Sequence, residues 1–522
     1  MDNIQIRQNN AQYFPRFLII GAGSRGNAYA QAVFESRSLT GIVTGVADPV
    51  VSKRQSLGSK YIWNGREKQE DAEFDSWQDF LEYEEIRRKK HSAGQNVLPG
   101  VDGVFICTLD HTHKEIITNL APLGLHIMSE KPLAPSLQDC IDIYKSVKPG
   151  DGDAQSTIFS IGHVLRYSPH NILLHQLLLK DKRIGDVLSI EHTEPVGWSH
   201  FSHSYVRGNW RRQSTSAPSL LTKSCHDIDF LLWLLCSPDG PQSAAHLPYQ
   251  VSSSGSTTFF KKSRKPKAAG AATNCLTCRH EPNCMYSAKK IYLEKELRKG
   301  NAHWPVNIVN PEIEDLYLAG DRTNAEKKLM EALAEDYDSS ASIEEIGMRT
   351  WYGRCVWESD NDVCDNQVVT IDWKDENSDD SGSRSSKTAS LHMVAFTESQ
   401  CERRGRIYGT EGEIEYNSRM IRVYTFADAQ AQVYYPEQPG GGHGGGDAGL
   451  AKNFISAVAD VINKRRSASE AQLLHVGCSL DDIIRSHAFV FAAEEARLES
   501  KVVDWNHWWN ANVMNSLGVS SV

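Results

Sequence analysis

The sequence lacks the features that would place the protein at a membrane or on nucleic acid. No run of eighteen apolar residues is present to cross a bilayer, and the start, Met1 to Arg7, has no long apolar stretch typical of a secretion signal. The formal net charge is -10, so the excess of basic residues expected of a nucleic-acid binder is absent too. We therefore expect a cytoplasmic protein with neither a membrane nor a nucleic acid as partner.

Disulfides are not expected either. The eleven cysteines are scattered over 522 residues, and without a secretion signal most of them should be reduced. A chain of this length exceeds what one core supports. We predict a dinucleotide-binding domain over residues 1–152 and a substrate-binding domain over residues 153–522.

The first domain opens with a short apolar run and a glycine-rich turn. Phe17–Ile20 leads into Gly21–Gly26, and a helix is predicted over residues 27–35. Further strands and helices alternate up to Glu130, which indicates a doubly wound parallel sheet of the Rossmann type in an α/β protein. The polar stretch over about 61–100 is predicted to be a surface insertion that contains a helix.

The second half of the chain has a different pattern. From Tyr352 onward several β-rich runs follow without regular helices between them, which predicts an α+β domain with a large, mostly antiparallel open sheet. We predict a cysteine-rich insertion over about 261–300 and a disordered tip over about 375–387, which is rich in serine and aspartate. A last helix over 479–499 is followed by residues 502–505, which we expect to return to the first domain.

The glycine turn predicts a dinucleotide site. Gly21 permits the tight turn, Gly23 lets backbone approach the pyrophosphate, and Gly26 lets the helix pack on the strand. The N-terminus of that helix, with Ser24, then faces the phosphates.

Asp48, at the end of the second strand, bears on the choice between NAD and NADP. Its carboxylate would accept hydrogen bonds from the adenosine ribose and repel a 2′-phosphate, which favours NAD; a turn residue before Pro49 is the alternative. Arg25 or Arg54 could reach a 2′-phosphate, so NADP stays open.

The tripeptide Glu130-Lys131-Pro132 places a lysine at the end of an apolar run in the same domain. An ammonium there can orient a substrate hydroxyl and stabilise the developing alkoxide, or relay its proton if burial lowers its pKa. A surface lysine before a helix is the alternative. We predict that Lys131 is catalytic and also contacts the cofactor.

The segment from Thr222 to Trp233 is predicted to be a second catalytic element. On a helix, Lys223, His226 and Asp227 share one face. Histidine is the natural proton acceptor near neutral pH, so we predict that Lys223 and His226 divide the proton chemistry, with Asp227 or Asp229 orienting one of them. The alternative is that these polar groups only bond locally.

Two further segments are rich in groups that bind ligands. The loop from His200 to Arg211 combines hydrogen-bonding and aromatic side chains suited to a polyol, which makes it a predicted substrate loop; packing is the alternative. Its candidate contacts are His200, His203, Tyr205, Arg207 and Trp210. Cys275, Cys278 and Cys284 could hold a structural zinc if His280 or a distant cysteine completed a tetrahedron; a disulfide or three unlinked thiols are the alternatives.

These motifs resemble the Gfo/Idh/MocA oxidoreductases, the glucose–fructose oxidoreductase and inositol dehydrogenase family. The resemblance rests on Gly21–Gly26, Asp48, Cys107–His113 and Glu130–Leu133, and it continues through Arg166–Pro169, Ile184–Val187 and Ile407–Gly412. It implies an NAD(P)-dependent enzyme that transfers a hydride to or from a secondary alcohol or ketone of a sugar-like or cyclic polyol substrate. It also implies a homo-oligomer formed through the open sheet.

The resemblance implies roles for individual residues. Lys131 would lie by the nicotinamide and substrate, Thr108, His113 and Glu130 would line the cofactor site, and Arg166 and Asp227 would contact substrate. Many members carry Asp-x-x-x-His where this chain has Thr222 and His226, which leaves the usual base in doubt. A redox glycosidase without net cofactor turnover and a non-enzymatic NAD(P)-sensing regulator are the alternatives within the family.

Overall fold

A computed structural model describes residues 13–35, 41–63, 65, 67–148, 155–238, 244–376, 384–398, 400–439 and 442–517. The predicted domain boundary at residue 152 and most of the predicted tip over 375–387 lie outside these residues. The longest helices described are Ser24–Glu35, Val51–Gly58, Trp77–Ser92, His113–Leu120, Leu137–Val147, Cys225–Cys236, Arg322–Ala334, Gly446–Ile462 and Leu480–Glu499. None of the described helices is long and apolar enough to span a membrane.

The first sheet is parallel, six-stranded and doubly wound, in the order β3-β2-β1-β4-β5-β6. Its central strands are buried on both faces because helices cover both sides. The strand order reverses beside β1, which puts the ends of β1 and β4 at the position where such sheets bind ligands. The strands are β1 (Arg16–Ile20), β2 (Ile42–Ala47), β3 (Glu73–Phe74), β4 (Gly103–Ile106), β5 (His126–Ser129) and β6 (Phe159–Ile161).

The second sheet has nine strands in the order β14-β13-β12-β11-β7-β10-β9-β8-β15. All neighbours are antiparallel except β7 and β10. Helices Cys225–Cys236 and Leu480–Glu499 share a hydrophobic core with it. The strands are β7 (Val187–Pro195), β8 (Gln250–Ser256), β9 (Asn366–Trp373), β10 (Lys387–Val394), β11 (Arg404–Gly409), β12 (Gly412–Asn417), β13 (Ile421–Thr425), β14 (Gln430–Tyr434) and β15 (Val503–Asp504).

The fold class predicted from the sequence is confirmed, and two predicted details differ. The polar stretch over 61–100 is not only a surface insertion, because β3 joins the first sheet through β2. The segment after the last helix pairs with β8 in the second sheet rather than returning to the first domain, and Trp505 is buried there. The helix over 446–462 packs on the first core, where Phe454 contacts the rings of Phe17 and Phe105.

The insertion in the second half is longer than the predicted 261–300. It fills residues 257–365, between β8 and β9, and contains short helices around a core of its own. Asp365 closes its base by accepting hydrogen bonds from the backbone amides of Thr258, Phe259 and Phe260 at 2.7 to 3.1 Å. The insertion is therefore a compact unit fixed to the second sheet.

Candidate active site

A cleft of about 1210 Å³ connects the glycine turn with the second sheet and the insertion. Most of the residues predicted for the site line it: Gly21, Gly23, Ser24, Arg25, Asp48, Thr108, Glu130, Lys131, His200, His203, Tyr205, Trp210, Lys223 and His226. Segments that are far apart in sequence therefore lie around one cleft.

The three glycines of the turn have distinct local environments. Gly21 has φ +96°, and a Cβ there would lie 2.6 Å from the Cys107 carbonyl oxygen. A Cβ on Gly26 would lie 2.0 Å from the Gly21 carbonyl oxygen, so the helix can approach the strand only with glycine at this position. A Cβ on Gly23 would meet nothing within 4 Å, because Gly23 faces the open cleft. The turn thus leaves space for a ligand at Gly23.

Asp48 lines one end of the cleft, and Arg54 lies behind it. Asp48 accepts hydrogen bonds from the backbone amides of Ala22 and Val50, at 2.7 and 2.8 Å. Arg54 is buried: it donates to the Asp48 carbonyl at 2.6 Å and to Glu73 at 2.9 Å, and it also pairs with Asp75. These partners hold the Arg54 guanidinium away from the cleft.

Arg25 joins three segments that are far apart in sequence. Its Nε donates to Glu130 Oε1 at 2.7 Å, and its two Nη atoms bind the carboxylate of Asp447 at 2.8 Å each. The Tyr29 hydroxyl also donates to Glu130, at 2.6 Å. Burial acts to raise the pKa of Glu130, but the charge of Arg25 and these hydrogen bonds outweigh it and hold that pKa below its ordinary value.

Lys131 is the residue after Glu130, and it lies in the cleft. Its Nζ donates to the Thr222 carbonyl at 2.8 Å and lies 5.8 Å from the centroid of the Trp210 ring. Two buried histidines hold the turn behind it: His113 contacts the Pro132 carbonyl at 2.9 Å, and His487 accepts from the Leu133 amide at 2.9 Å. The backbone around Lys131 is thus fixed from both sides.

His226 is a buried histidine whose ring lines the cleft. Its Nδ1 has no hydrogen-bond partner among the described residues. Burial, followed by the charge of Lys131, lowers the pKa of His226 well below its ordinary value, so the ring is neutral at neutral pH. Its ring lies 5.7 Å from His443 and 6.4 Å from His163.

Lys223 belongs to a buried cluster of opposite charges. Its Nζ lies 2.9 Å from Glu194 Oε1 and 3.1 Å from the Cys401 sulfur. Arg403 lies between the same Glu194, at 3.0 Å, and Asp227, at 2.6 Å. Burial acts to lower the pKa of Lys223, but Cys401 and Glu194 outweigh it, and the pKa lies above its ordinary value. Lys223 therefore remains an ammonium.

The predicted substrate loop has two faces. His200, His203, Tyr205 and Trp210 face the cleft. Arg207 faces away from it: it is 1% exposed and donates to the carbonyls of Arg354, at 2.7 Å, and Tyr286, at 2.8 Å, within the insertion. One face of the loop lines the cleft while the other anchors the insertion.

Five predicted site residues do not line the cleft: Gly26, His113, Arg166, Arg207 and Asp227. Arg166 is buried behind it in a two-pronged ion pair with Asp229, at 2.7 and 2.8 Å. Asp227 is fully buried between His192 and Arg403 and does not orient His226 or Lys223 by a hydrogen bond. The polar side-chain groups of His113, Arg166 and Asp227 are bonded to protein partners.

The cysteine-rich segment does not form a metal centre. Among the described residues no group of three or more His, Cys, Asp or Glu side chains is placed to hold a metal ion, and Cys275, Cys278 and Cys284 are free. Cys275 instead accepts a hydrogen bond from Arg207 at 3.4 Å. The described residues therefore give no support to the predicted zinc site.

Several residues of the site were not predicted from the sequence. They are Glu194, Trp304, Tyr352, Cys401, Arg403, His443 and Asp447. Asp447 offered a signal, because it is the one acidic residue in a run of glycines at the start of a helix. His443 lies in the same run of glycines, and the others come from strand ends, from the loop before β11 and from the insertion, where the sequence pattern gives no cue to the cleft.

Comparison with known proteins identifies the first domain. Residues 15–151 match the Gfo/Idh/MocA model, which describes an oxidoreductase family with an NAD-binding Rossmann fold. This part of the chain belongs to the Gfo/Idh/MocA oxidoreductase family. This agrees with the resemblance drawn from Gly21–Gly26 and Glu130–Leu133.

The proteins that the chain resembles carry several different names. The 2,7-anhydro-N-acetylneuraminate hydratase of Escherichia coli (strain K12) is 29% identical over 135 residues, 26% of this chain and 34% of the hydratase, so the chain spans about a third of that relative. The Bacillus subtilis (strain 168) protein YteT is 23% identical over 369 residues, 68% of this chain and 72% of YteT. A solved levoglucosan dehydrogenase in complex with NADH has a TM-score of 0.57 at 16% identity, covering 94% of this chain and 98% of that one, and thus shares the fold.

The ion pair between Arg25 and Glu130 predicts a pH-dependent stability. Because the pKa of Glu130 is lowered in the folded protein, its contribution is fully present above the ordinary value of 4.5 and is lost as the pH falls through the lower folded value. We expect Glu130→Gln to lower the free energy of unfolding by about 3 kcal/mol at pH 7, since it leaves Arg25 short of a partner. Urea unfolding at pH 7 and at pH 4 would show the difference shrink at the lower pH.

The matched control is Glu402→Gln, which removes an exposed ion pair with Arg419. We expect it to change the free energy of unfolding by less than about 1 kcal/mol. An equal loss in both variants, or a difference independent of pH, would contradict the assignment of Glu130.

Proposed function

We propose that this protein is an NAD(P)-dependent oxidoreductase that acts on a secondary alcohol or ketone of a sugar-like or cyclic polyol substrate. The observation that carries the proposal is the convergence of the glycine turn, Lys131 and the ring of His226 on one cleft. The assembly of copies through the open sheet stays a prediction.

The cleft fits a nicotinamide dinucleotide. Gly23 leaves open space beside the N-terminus of helix Ser24–Glu35, where phosphates bind well, and Asp48 stands at the end of β2. The residues that would hold the cofactor are Gly21, Gly23, Ser24, Asp48, Thr108 and Glu130. A bound nicotinamide would supply hydride transfer, which no side chain can perform.

Lys131 and His226 would manage the proton at the substrate. Lys131 is anchored to the Thr222 carbonyl with its charged end in the cleft, so it can orient a hydroxyl and stabilise an alkoxide. His226 is neutral and its ring lines the cleft, so it can accept the hydroxyl proton. Reduction would run the same steps in reverse.

Lys223 would act through its charge rather than as a base. Its ammonium is held by Glu194 and Cys401, and its pKa lies above its ordinary value. Of the two lysines, Lys131 is therefore the better candidate for the proton chemistry, and Thr222 contributes through its backbone carbonyl in place of a carboxylate.

The ion pairs made by Arg25 and Arg54, the two arginines that could reach a 2′-phosphate, favour NAD over NADP. Arg54 is bonded to Asp48, Glu73 and Asp75, and Arg25 is bonded to Glu130 and Asp447. Neither guanidinium is available to a 2′-phosphate without breaking these pairs, whereas the Asp48 carboxylate would repel it.

The second candidate function is an enzyme that oxidises its substrate transiently and ends with no net change in cofactor. The hydratase named above favours it, because hydration is redox-neutral overall. An assay that follows both substrate loss and the absorbance of reduced nicotinamide separates the two. Accumulation of reduced cofactor in proportion to product supports the dehydrogenase, and product formation without it supports the redox-neutral enzyme.

Replacing Lys131 tests the proposed catalytic centre. Lys131→Met keeps the length of the side chain but removes its charge, so we expect turnover to fall about 10²- to 10⁴-fold while cofactor binding is retained. The measurements are kcat on the best substrate of a polyol panel and the Kd of NAD by fluorescence. Lys114→Met, at an exposed lysine paired with Asp139 and Asp142, is the control and should leave both unchanged. Normal turnover in Lys131→Met would refute the assignment.

Replacing Asp48 tests the cofactor preference. Asp48→Asn keeps the shape and removes the charge, so we expect the preference for NAD over NADP to fall roughly tenfold, which corresponds to about 1.4 kcal/mol. The ratio of the two Kd values measures it, since a general loss of stability affects both cofactors alike. An unchanged ratio would show that Asp48 does not set the preference.

A further inference from the structure

An aromatic strip runs along the cleft from the reactive lysine to the insertion. We define it by the rings of Trp210, Tyr205, His200 and Trp304, all of which line the cleft. Successive ring centroids lie 5.7, 6.1 and 5.3 Å apart. Lys131 Nζ lies 5.8 Å from Trp210, so the strip begins at the proposed catalytic centre and leads away from it.

The far end of the strip is built by the insertion. Trp304 is half-buried and contacts His200 and His203 edge-on, at 5.3 and 5.4 Å. His203 in turn stacks on Tyr352 at 5.0 Å and bonds the Tyr292 hydroxyl at 3.0 Å. Ile308, which is 37% exposed, lines the same end. Three elements of the insertion therefore converge on this end of the cleft.

The chemistry of this end suits an uncharged ring with hydroxyl groups. Burial lowers the pKa of His203 to about 3, and burial with the charge of Lys223 lowers that of His200 well below its ordinary value. Both imidazoles are therefore neutral donors and acceptors beside an indole. Aromatic faces bind the C–H surfaces of sugars while such polar neighbours bind the hydroxyl groups.

The far end is also held in place before any ligand binds. Arg207, on the back of the loop that carries His200 and His203, is bonded to the insertion through the carbonyls of Arg354 and Tyr286. A wall fixed in this way does not have to be ordered on binding, which favours affinity.

We propose that Trp304, with His200 and His203, forms a second carbohydrate-ring site, and that the substrate is a glycoside of at least two rings. One ring is placed at Lys131 and Trp210 for reaction, and the next lies on Trp304. This inference rests on the proposed function, because Lys131 defines the reacting end. It goes further in assigning the insertion a role in substrate choice.

The test compares disaccharides with their component sugars. The probes are cellobiose, maltose, lactose and melibiose against glucose and galactose, with NAD as oxidant. For the wild type we expect the best disaccharide to have a higher kcat/KM than either monosaccharide. Trp304→Ala should lower the ratio of the two kcat/KM values about tenfold, mainly through the KM of the disaccharide.

Two further variants distinguish the loss of the second site from a folding defect. Trp304→Phe keeps an aromatic face and should restore most of the ratio. Leu318→Ala, at a 59% exposed position of the insertion away from the cleft, should leave the ratio unchanged. A ratio that does not move in Trp304→Ala would overturn the second site while leaving the proposed oxidoreductase intact.

Calorimetry with the NAD-saturated protein separates this inference from the proposed function. If no sugar is oxidised, the proposed function fails, but binding still decides the second site. Tighter binding of a disaccharide than of its monosaccharides, weakened in Trp304→Ala and recovered in Trp304→Phe, supports it. Equal binding, or none for any disaccharide, overturns it.

Discussion

The guanidinium of Arg25 is the contact on which the arrangement of the cleft depends. It ties the first helix of the Rossmann sheet to Glu130 at the end of β5 and to Asp447, more than three hundred residues later in the chain. Both carboxylates are largely buried, so their charges are compensated chiefly through this group. Because Lys131 follows Glu130 directly, the same contacts fix the start of the turn that carries Lys131, and His113 and His487 fix its end.

Local patterns were enough to predict the Rossmann sheet and its glycine turn. Gly21 and Gly26 are required by the path of their own backbone, and the apolar run before Glu130 forms a strand. The nine-stranded sheet was also predictable as mostly antiparallel, because six of its strands, β9 to β14, follow one another closely in sequence. The short strands β3 and β15 were missed, since two-residue elements are formed by their partners and not by their own sequence.

The site was predictable where function and local pattern coincide, and not where distant parts of the chain meet. Lys131 and His226 stand in recognisable motifs, whereas Arg207 and Asp227 look equally functional in the sequence yet have buried protein partners. A sequence does not show which side of a loop faces a ligand. Trp304 reaches the cleft only through tertiary packing, so nothing near it in sequence marks its place.

The buried cluster of Lys223, Arg403, Glu194 and Asp227 has a consequence for the electric field in the cleft. Two cations and two carboxylates lie within 3.0 Å of one another in pairs, so their charges cancel at a distance. The floor of the cleft therefore offers little net attraction to an anionic or cationic metabolite. The Lys131 ammonium, bonded to a carbonyl rather than a carboxylate, keeps its field, and that field acts most strongly when negative charge appears on a nearby oxygen during reaction.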